Sequence, residues 1–230
     1  MATSRKRRTT LRRLLIIGAG GHAREVYQLV ADINAAEQQW NVVGFLVEEG
    51  YNVNRTLYEL PVFAGIKALR EHADSQVTIA VGSAAARARL ARSVRDERDC
   101  VFATLIHPSA LVSQRARVGA GAQIFPGCIV NTDVTIGDHV IVNSGGKISH
   151  DSIVGDYATL GPGVTLCGWV RIGAGVELGA SATVAPRCTI GANTRIGAGA
   201  VVVTDLAPDI TAVGIPARPR TATPTPPSGT

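Results

Sequence analysis

The sequence predicts two structural units in series, a small α/β domain followed by a parallel β-helix. Apolar segments alternate with helix-like segments through residues 14–106, and from Val112 to Ile196 an aliphatic residue stands at every sixth position. Short strands repeated with a fixed period are typical of β-helices, whose stacked coils bury one continuous apolar column. The prediction of a second, α/β-type unit rests on the alternation of strand and helix.

The repeat predicts a β-helix over residues 107–220. Its fifteen aliphatic positions show no insertion or deletion: Val112, Val118, Ile124, Val130, Ile136, Val142, Ile148, Val154, Leu160, Leu166, Ile172, Leu178, Val184, Ile190 and Ile196. The residue four positions further on is never larger than valine, and glycine often follows the aliphatic position. This combination predicts a narrow core of aliphatic and small side chains with tight corners.

The first unit, residues 14–106, has the pattern of a Rossmann-type sheet. Strands are expected at 14–17, 42–47 and 77–81, with a helix at 84–94. The turn Gly18-Ala-Gly-Gly-His22 joins the first strand to a helical segment. Free N–H groups at the start of a helix favour an anion, so this turn predicts a phosphate site.

Composition sets limits on the termini and on partners. Residues 1–13 contain six basic and no acidic residues and predict a disordered basic leader, while 221–230 predict a disordered tail. Because the formal net charge is +5, the rest of the chain is nearly neutral, and nucleic-acid binding is not expected. No apolar run approaches the roughly 18 residues of a membrane helix, so no membrane association is expected.

Four cysteines, Cys100, Cys128, Cys167 and Cys188, lack the spacing of a metal or redox motif. Reduced thiols of this kind are typical of cytoplasmic proteins. The sequence therefore predicts a cytoplasmic protein without disulfide bonds.

The pattern [LIV]-G-x-x-small-x resembles the left-handed β-helix of hexapeptide-repeat acyltransferases, in which three hexads form one triangular coil. Fifteen hexads then imply about five coils. The order Gly18-Ala-Gly-Gly-His22, α/β unit, His107-Pro-Ser-Ala and hexads resembles one subfamily over almost the whole chain. That subfamily contains sialic acid O-acetyltransferases and the bacillosamine and perosamine type of nucleotide-4-amino-sugar N-acetyltransferases. The resemblance implies a homotrimeric, acetyl-CoA-dependent N-acetyltransferase that acts without a metal on a nucleotide-linked 4-amino-4,6-dideoxysugar.

The resemblance implies substrate-binding residues in the first unit and at the start of the catalytic motif. Gly20, Gly21 and His22, in the turn that begins at Gly18, would meet the diphosphate. An acidic residue after the second strand would bind the nucleoside, and Glu48 occupies that place, although family members often have two consecutive aspartates there. Asn143 matches the asparagine that precedes the catalytic histidine.

His150 is the candidate general base of the second unit. One coil, or three hexads, further along the chain stands Gly168, which has no side chain and leaves space beside the imidazole. Acyl transfer from a thioester to an amine needs a proton acceptor and donors for the oxyanion, and histidine accepts protons near neutral pH. The resemblance implies the same roles: His150 as base, Asp151 as its acidic partner and the N–H of Gly168 at the oxyanion.

Four residues are predicted to bind coenzyme A. Gly168 faces the thioester, and Gly173 ends the family-like segment Leu-Cys-Gly-Trp-Val-Arg-Ile-Gly. Thr159 stands where many members have a second histidine, and Arg218 follows the closing Gly-x-Pro-Ala segment, where it can pair with phosphates.

The sequence is compatible with several alternative functions. The same base could serve O-acetylation of a sugar, and a non-catalytic nucleotide-binding scaffold would use only the glycine-rich turn. A γ-carbonic-anhydrase-type metal site needs three histidines, whereas only His139 and His150 lie in the repeat. His139 is expected to be a solvated loop residue. An NAD-dependent oxidoreductase would leave the hexads unexplained.

Overall fold

The computed structural model describes residues 11–51 and 56–220. Residues 1–10 of the predicted leader and the whole predicted tail lie outside these described residues. The first strand begins within the predicted leader, at Arg12. The α/β domain therefore begins before the predicted residue 14. The strand extends to Arg12 because it pairs along its full length with its neighbour and because the guanidinium of Arg12 stacks on Trp40, 3.9 Å from the ring centre.

The first unit is an α/β domain, as predicted. In chain order it contains β1 (Arg12–Ile17), α1 (Gly21–Ala36), β2 (Trp40–Val47), β3 (Thr56–Leu57), β4 (Leu60–Ala64), a 3-10 helix (Ile66–His72), β5 (Gln76–Ile79) and α2 (Ala84–Glu97). Sheet 1 has the order β3-β4-β2-β1-β5 and is parallel except for the β3–β4 hairpin. Leu14 and Ile16 of β1 belong to the core that contains α1, and Leu15 and Ile17 to the core that contains α2. Burial on both faces explains the continuous apolar run of this strand.

The second unit is a parallel β-helix, also as predicted. Its seventeen two-residue strands are β6 (Leu105–Ile106), β7 (Leu111–Val112), β8 (Arg117–Val118), β9 (Gln123–Ile124), β10 (Ile129–Val130), β11 (Thr135–Ile136), β12 (Ile141–Val142), β13 (Lys147–Ile148), β14 (Ile153–Val154), β15 (Thr159–Leu160), β16 (Thr165–Leu166), β17 (Arg171–Ile172), β18 (Glu177–Leu178), β19 (Thr183–Val184), β20 (Thr189–Ile190), β21 (Arg195–Ile196) and β22 (Val201–Val202). Two further strands, β23 (Thr211–Val213) and β24 (Arg218–Pro219), are separated by longer connections and close the end of the β-helix.

The strands form the three walls of a triangular prism. Sheet 2 has the order β24-β23-β21-β18-β15-β12-β9-β6, sheet 3 the order β22-β19-β16-β13-β10-β7, and sheet 4 the order β20-β17-β14-β11-β8. Strands one coil apart pair in parallel with a register of three hexads, as Ile148 does with Leu166. From Ile124 onward every predicted aliphatic position is buried. The aliphatic rhythm extends one hexad beyond the prediction at each end, to Ile106 and Val202.

One buried arginine joins the two units. Arg87 of α2 is 1% exposed, and its guanidinium contacts both units. It donates hydrogen bonds to the backbone oxygens of Val81, Gly82, His139, Tyr157 and Ala158 and to the hydroxyl of Thr159. Burial lowers the pKa of Arg87 to about 10, so the group remains charged at neutral pH.

The α/β domain therefore packs on sheet 2 and on the corner between sheets 4 and 2. Besides Arg87, Glu177 of β18 accepts a hydrogen bond of 2.9 Å from the N–H of Ala84, at the start of α2. Near the other end of sheet 2, Gln123 of β9 donates to the hydroxyl of Thr78 and the backbone oxygen of Ile79. Polar contacts thus extend along sheet 2 from β9 to β18.

His139 is buried, so the prediction of a solvated loop residue is wrong. The ring is 1% exposed, stacks on Tyr157 with centroids 5.1 Å apart and meets the edge of Phe102 at 4.5 Å. The corner would be solvated in an isolated β-helix, but the α/β domain covers it. Neither ring nitrogen has a hydrogen-bond partner among the described residues, and burial, followed by the charge of Arg95, lowers the pKa of His139 to about 4.

No helix within residues 11–51 and 56–220 is long and apolar enough to cross a membrane. The four cysteines are free thiols, and burial raises the pKa of Cys100, Cys128 and Cys188.

Acid should destabilise the protein through His139. The unfolded chain protonates this ring near pH 6.5 and the folded chain only near pH 4, so the unfolded state binds more protons between these values. Stability present above pH 6.5 is lost as the pH falls, by up to about 3 kcal/mol. His139→Phe keeps the stacked ring, and we expect urea midpoints that depend much less on pH between 7.5 and 4.5. An equally strong pH dependence in His139→Phe and in the wild type would contradict the assignment.

Candidate active site

A cleft of about 260 Å³ lies at the carboxyl edge of sheet 1, where β1, β2 and β5 end. It contains five of the six residues predicted to bind substrate: Gly18, Gly20, Gly21, His22 and Glu48. The turn needs glycine at its first position, because Gly18 has φ +117° and a Cβ there would lie 2.6 Å from the backbone oxygen of Ala80. Gly20 has no atom within 4 Å of a Cβ position, so the cleft beside it is open.

His22 lies at the boundary between the cleft and the β-helix. Its Nδ1 is 3.1 Å from a carboxylate oxygen of Glu25, and its Nε2 is 2.9 Å from Oε1 of Gln123. The ring also packs against Phe125, with centroids 5.6 Å apart. His22 therefore belongs to the cleft and is held by β9 of the second unit.

Glu48 forms a bidentate ion pair with Arg89 of α2, which the sequence did not single out. One of the two contacts is 2.9 Å, between Nη2 and Oε2. The hydrogen bonds from Arg89 hold the pKa of Glu48 below its ordinary value, so this carboxylate is ionised at the mouth of the cleft. Tyr51 lines the same side of the cleft. Only the fold reveals Arg89, because α2 lies far from Glu48 in sequence.

The predicted catalytic residues meet at the corner between sheets 3 and 4. Nδ1 of His150 lies 2.8 Å from Oδ2 of Asp151, and both side chains are a little under half exposed. Gly168 stands directly above, as the step of one coil predicts. A Cβ on Gly168 would lie 2.8 Å from Cε1 and Nε2 of His150, so the absence of a side chain makes room for the imidazole.

Trp169 completes this corner. Its indole meets the His150 ring edge-on with centroids 4.5 Å apart, and the guanidinium of Arg187 lies 5.0 Å from the indole centre. The Trp169 side chain is 48% exposed, so one side of the indole faces solvent beside His150. Its position one full coil after Asp151 was the signal that could have identified it from sequence.

Four further predicted residues lie outside both groups. Asn143 follows β12, one corner before His150, and its side-chain oxygen accepts from the N–H of Ser144. The hydroxyl of Thr159 bonds to Gly82 and Arg87 at the domain interface.

Gly173 and Arg218 also lie outside the corner that carries His150. Gly173 supports coil stacking, since a Cβ there would lie 2.5 Å from the backbone nitrogen of Ala192. Arg218 is exposed on β24, and its guanidinium donates to the backbone oxygen of Ala217.

Within one chain the cleft and the His150 corner are separate. The α/β domain covers sheet 2, whereas His150 lies at the vertex between sheets 3 and 4, opposite sheet 2 in the triangular cross-section. Residues 11–51 and 56–220 contain no group of three or more His, Cys, Asp or Glu side chains arranged to hold a metal ion.

Comparison with known proteins agrees with this architecture. The PglD N-terminal domain family matches residues 13–94, and the bacterial transferase hexapeptide family (six repeats) matches residues 170–204. A perosamine N-acetyltransferase from Caulobacter crescentus, solved with CoA and GDP-perosamine and carrying asparagine in place of one histidine, is 34% identical; the match covers 92% of this chain and 98% of that one, with a TM-score of 0.82. A comparison with curated proteins found no match.

Two further solved structures have the same fold. The acetyltransferase domain of PglB from Neisseria gonorrhoeae, solved with acetyl coenzyme A, is 29% identical, with 92% of this chain and 100% of that chain covered and a TM-score of 0.81. WeeI from Acinetobacter baumannii, 24% identical with the same coverage and a TM-score of 0.77, shows the fold alone.

The fold and the site define an acyltransferase with a Rossmann-like first domain and a left-handed β-helix. Within that class, the chain belongs to the hexapeptide-repeat sugar N-acetyltransferases that carry a PglD-type N-terminal domain. The predicted resemblance and fold class are thereby confirmed.

The space above His150 should be essential for activity. In Gly168→Ala the new methyl group would overlap the imidazole and rotate it away from Asp151, while the coil pairing stays intact. We expect kcat to fall about 10²-fold, as for other misplaced catalytic groups, with a nearly unchanged melting temperature. Ala198→Ser adds one heavy atom at the corresponding turn position of another corner and serves as the control. Full activity of Gly168→Ala would show that the ring does not need this position.

Proposed function

We propose that this protein transfers an acetyl group from acetyl-CoA to the amino group of a nucleotide-linked 4-amino-4,6-dideoxysugar. The observation that carries the proposal is the corner at which His150 is bonded to Asp151 and has free space beneath Gly168. The relatives solved with CoA and GDP-perosamine and with acetyl coenzyme A support this choice of donor and acceptor. The free thiols support a cytoplasmic reaction.

In the proposed reaction His150 is the general base. The Asp151 carboxylate only accepts hydrogen bonds, so Nδ1 of His150 carries the proton and the lone pair of Nε2 is left for the substrate. Nε2 removes a proton from the sugar ammonium or from the attacking amine as the C–N bond forms. The proton then passes to the departing thiolate of coenzyme A.

The N–H of Gly168 is the proposed donor to the oxyanion. Within the described residues this N–H donates to no protein acceptor, whereas its neighbour Trp169 donates to the backbone oxygen of His150. A backbone donor fixed by the coil needs no reorganisation when negative charge develops on the thioester oxygen. For coenzyme A we retain Gly168 and Arg218; the contacts of Thr159 and Gly173 within the chain already account for those two residues.

The cleft of the first domain is the proposed site of the nucleotide-linked sugar. Its diphosphate would lie at the start of α1, on Gly20, Gly21 and His22, where backbone N–H groups favour an anion. The nucleoside would then lie toward Glu48 and Tyr51. Because this cleft and the His150 corner lie apart within one chain, we propose a homotrimer in which one subunit's cleft faces another subunit's His150 corner.

Thiol release from acetyl-CoA tests the reaction directly. We expect release with at least one of the UDP-, dTDP- and GDP-linked 4-amino-4,6-dideoxysugars, and none with the corresponding 4-hydroxy sugars. His150→Ala should lower kcat by about 10²-fold or more because the base is lost. Ser181→Ala, an exposed change at another corner, controls for folding. Release with hydroxyl acceptors alone would favour O-acetylation, and no release with any acceptor would favour a binding scaffold.

Complementation tests the shared site. Gly20→Asp places a carboxylate where the diphosphate is proposed, with room for the side chain, and should be inactive for electrostatic reasons, as His150→Ala is for chemical ones. Co-expression of the two variants should restore partial activity, since some sites would combine an intact cleft with an intact His150. Sedimentation should show a trimer for each variant. Absence of complementation in mixed trimers, or a fully active monomer, would contradict the shared site.

A further inference from the structure

Gln123 is a buried polar residue in the wall of the β-helix that faces the α/β domain. It is 1% exposed and stands on β9, next to the inward-facing Ile124. Its side-chain nitrogen donates two hydrogen bonds, 2.9 Å to the hydroxyl oxygen of Thr78 and 3.0 Å to the backbone oxygen of Ile79. A backbone oxygen can only accept, so the orientation of this amide is fixed by its partners.

The fixed amide determines the state of the His22 ring. With both amide hydrogens used, Oε1 of Gln123 is an acceptor, and Nε2 of His22, 2.9 Å away, must carry the hydrogen. The other ring nitrogen, Nδ1, lies 3.1 Å from the carboxylate of Glu25, which also accepts only. Both hydrogen bonds can form together only when each ring nitrogen carries a hydrogen.

The two partners of His22 differ in their freedom to move. Gln123 is enclosed, whereas the side chain of Glu25 is 58% exposed on α1. A ligand in the cleft can therefore replace Glu25 at Nδ1 without disturbing the protein core, but it cannot replace Gln123 at Nε2. Phe125, packed against the ring, further limits its rotation.

We infer that Gln123 is a positioning residue for substrate binding. From the β-helix it accepts a hydrogen bond from Nε2–H of His22, so that Nδ1–H of the same ring faces the cleft. This inference rests on the proposed function, because the anion that Nδ1–H would meet is the diphosphate of the nucleotide-linked sugar. The β-helix thereby takes part in substrate binding as well as in catalysis. Gln123 acts through His22 and does not touch the substrate.

Gln123→Met, which keeps the length of the side chain without its polar atoms, tests the role by kinetics. We expect KM for the nucleotide-linked amino sugar to rise about 10-fold, which corresponds to about 1.4 kcal/mol, while kcat and KM for acetyl-CoA change less than twofold. Gln123→Glu keeps an acceptor for His22 and should recover part of the loss. An unchanged KM in Gln123→Met would overturn the inference.

A double-mutant cycle separates positioning from general destabilisation. His22→Asn should raise KM by itself, and adding Gln123→Met to it should raise KM no further, because the group through which Gln123 acts is already gone. Additive effects of the two changes would overturn the inference while leaving the proposed function intact. Melting temperatures of all variants show whether folding contributes.

Nitrogen NMR of histidine-labelled protein tests the same inference without any substrate. The signals of His22, assigned by their absence in His22→Asn, should show a protonated Nε2 in the wild type, and Gln123→Met should lose this preference. A wild-type ring protonated on Nδ1 alone would overturn the inference. Calorimetry with GDP and UDP distinguishes the failures: a wild type with protonated Nε2 that binds neither nucleotide and releases no thiol contradicts the proposed function and, with it, the substrate role of Gln123.

Discussion

The docking of the α/β domain on the β-helix is centred on one buried cation, Arg87. A guanidinium enclosed between two domains is tolerated only if its N–H groups find acceptors, because an unpaired buried charge is strongly destabilising. Arg87 meets this requirement with oxygens from both units: Val81 and Gly82 precede α2, and His139, Tyr157 and Ala158 belong to the β-helix. All these hydrogen bonds can form together only when α2 lies at one position on the prism. Sheet 1 packs against α2 and is therefore positioned with it.

This docking determines where the two parts of the proposed site lie. Val81 and Gly82, which Arg87 holds by their backbone oxygens, also line the cleft, so the floor of the cleft is fixed against the β-helix. The same docking covers sheet 2 and leaves the opposite vertex, with His150, uncovered. Because this connection separates the cleft from His150 within one chain, the proposed reaction requires that copies of the chain combine their parts.

The repeat and most contacts within the β-helix could be predicted from the sequence. In a periodic fold, residues that are a fixed number of positions apart lie next to each other in space. A step of one coil from His150 leads to Gly168, and the structure places them in contact. Contacts between the α/β domain and the β-helix follow no such sequence repeat. Arg87 and Gln123 therefore could not be recognised, and His139 was misassigned because its corner is buried only by docking.

Backbone conformation distinguishes the corner that carries His150 from the corner between sheets 2 and 3. From Gly121 to Gly199 each corner has one residue per coil with a positive φ, which is disfavoured for residues with a Cβ by about 1–2 kcal/mol. The corner between sheets 2 and 3 meets this requirement mostly with glycine, at Gly127, Gly145, Gly163 and Gly199. The corner between sheets 3 and 4 instead has Asp133, Asp151, Trp169 and Arg187 in these positions, and the corner between sheets 4 and 2 has both glycines and the residues His139, Tyr157 and Asn193.

Each of these four side chains has a specific contact in the described structure. Asp133 pairs with Arg115, Asp151 with His150, and the Trp169 indole lies between His150 and Arg187. Four successive coils thus accept unfavourable backbone conformations at the corner that carries His150. Strain retained where glycine would relieve it indicates that the side chains are needed. Folding of a coil requires only the positive φ at its corner, and glycine supplies that conformation at the neighbouring corner of the same prism. The side chains between sheets 3 and 4 are therefore needed for their local contacts and not for the coil itself.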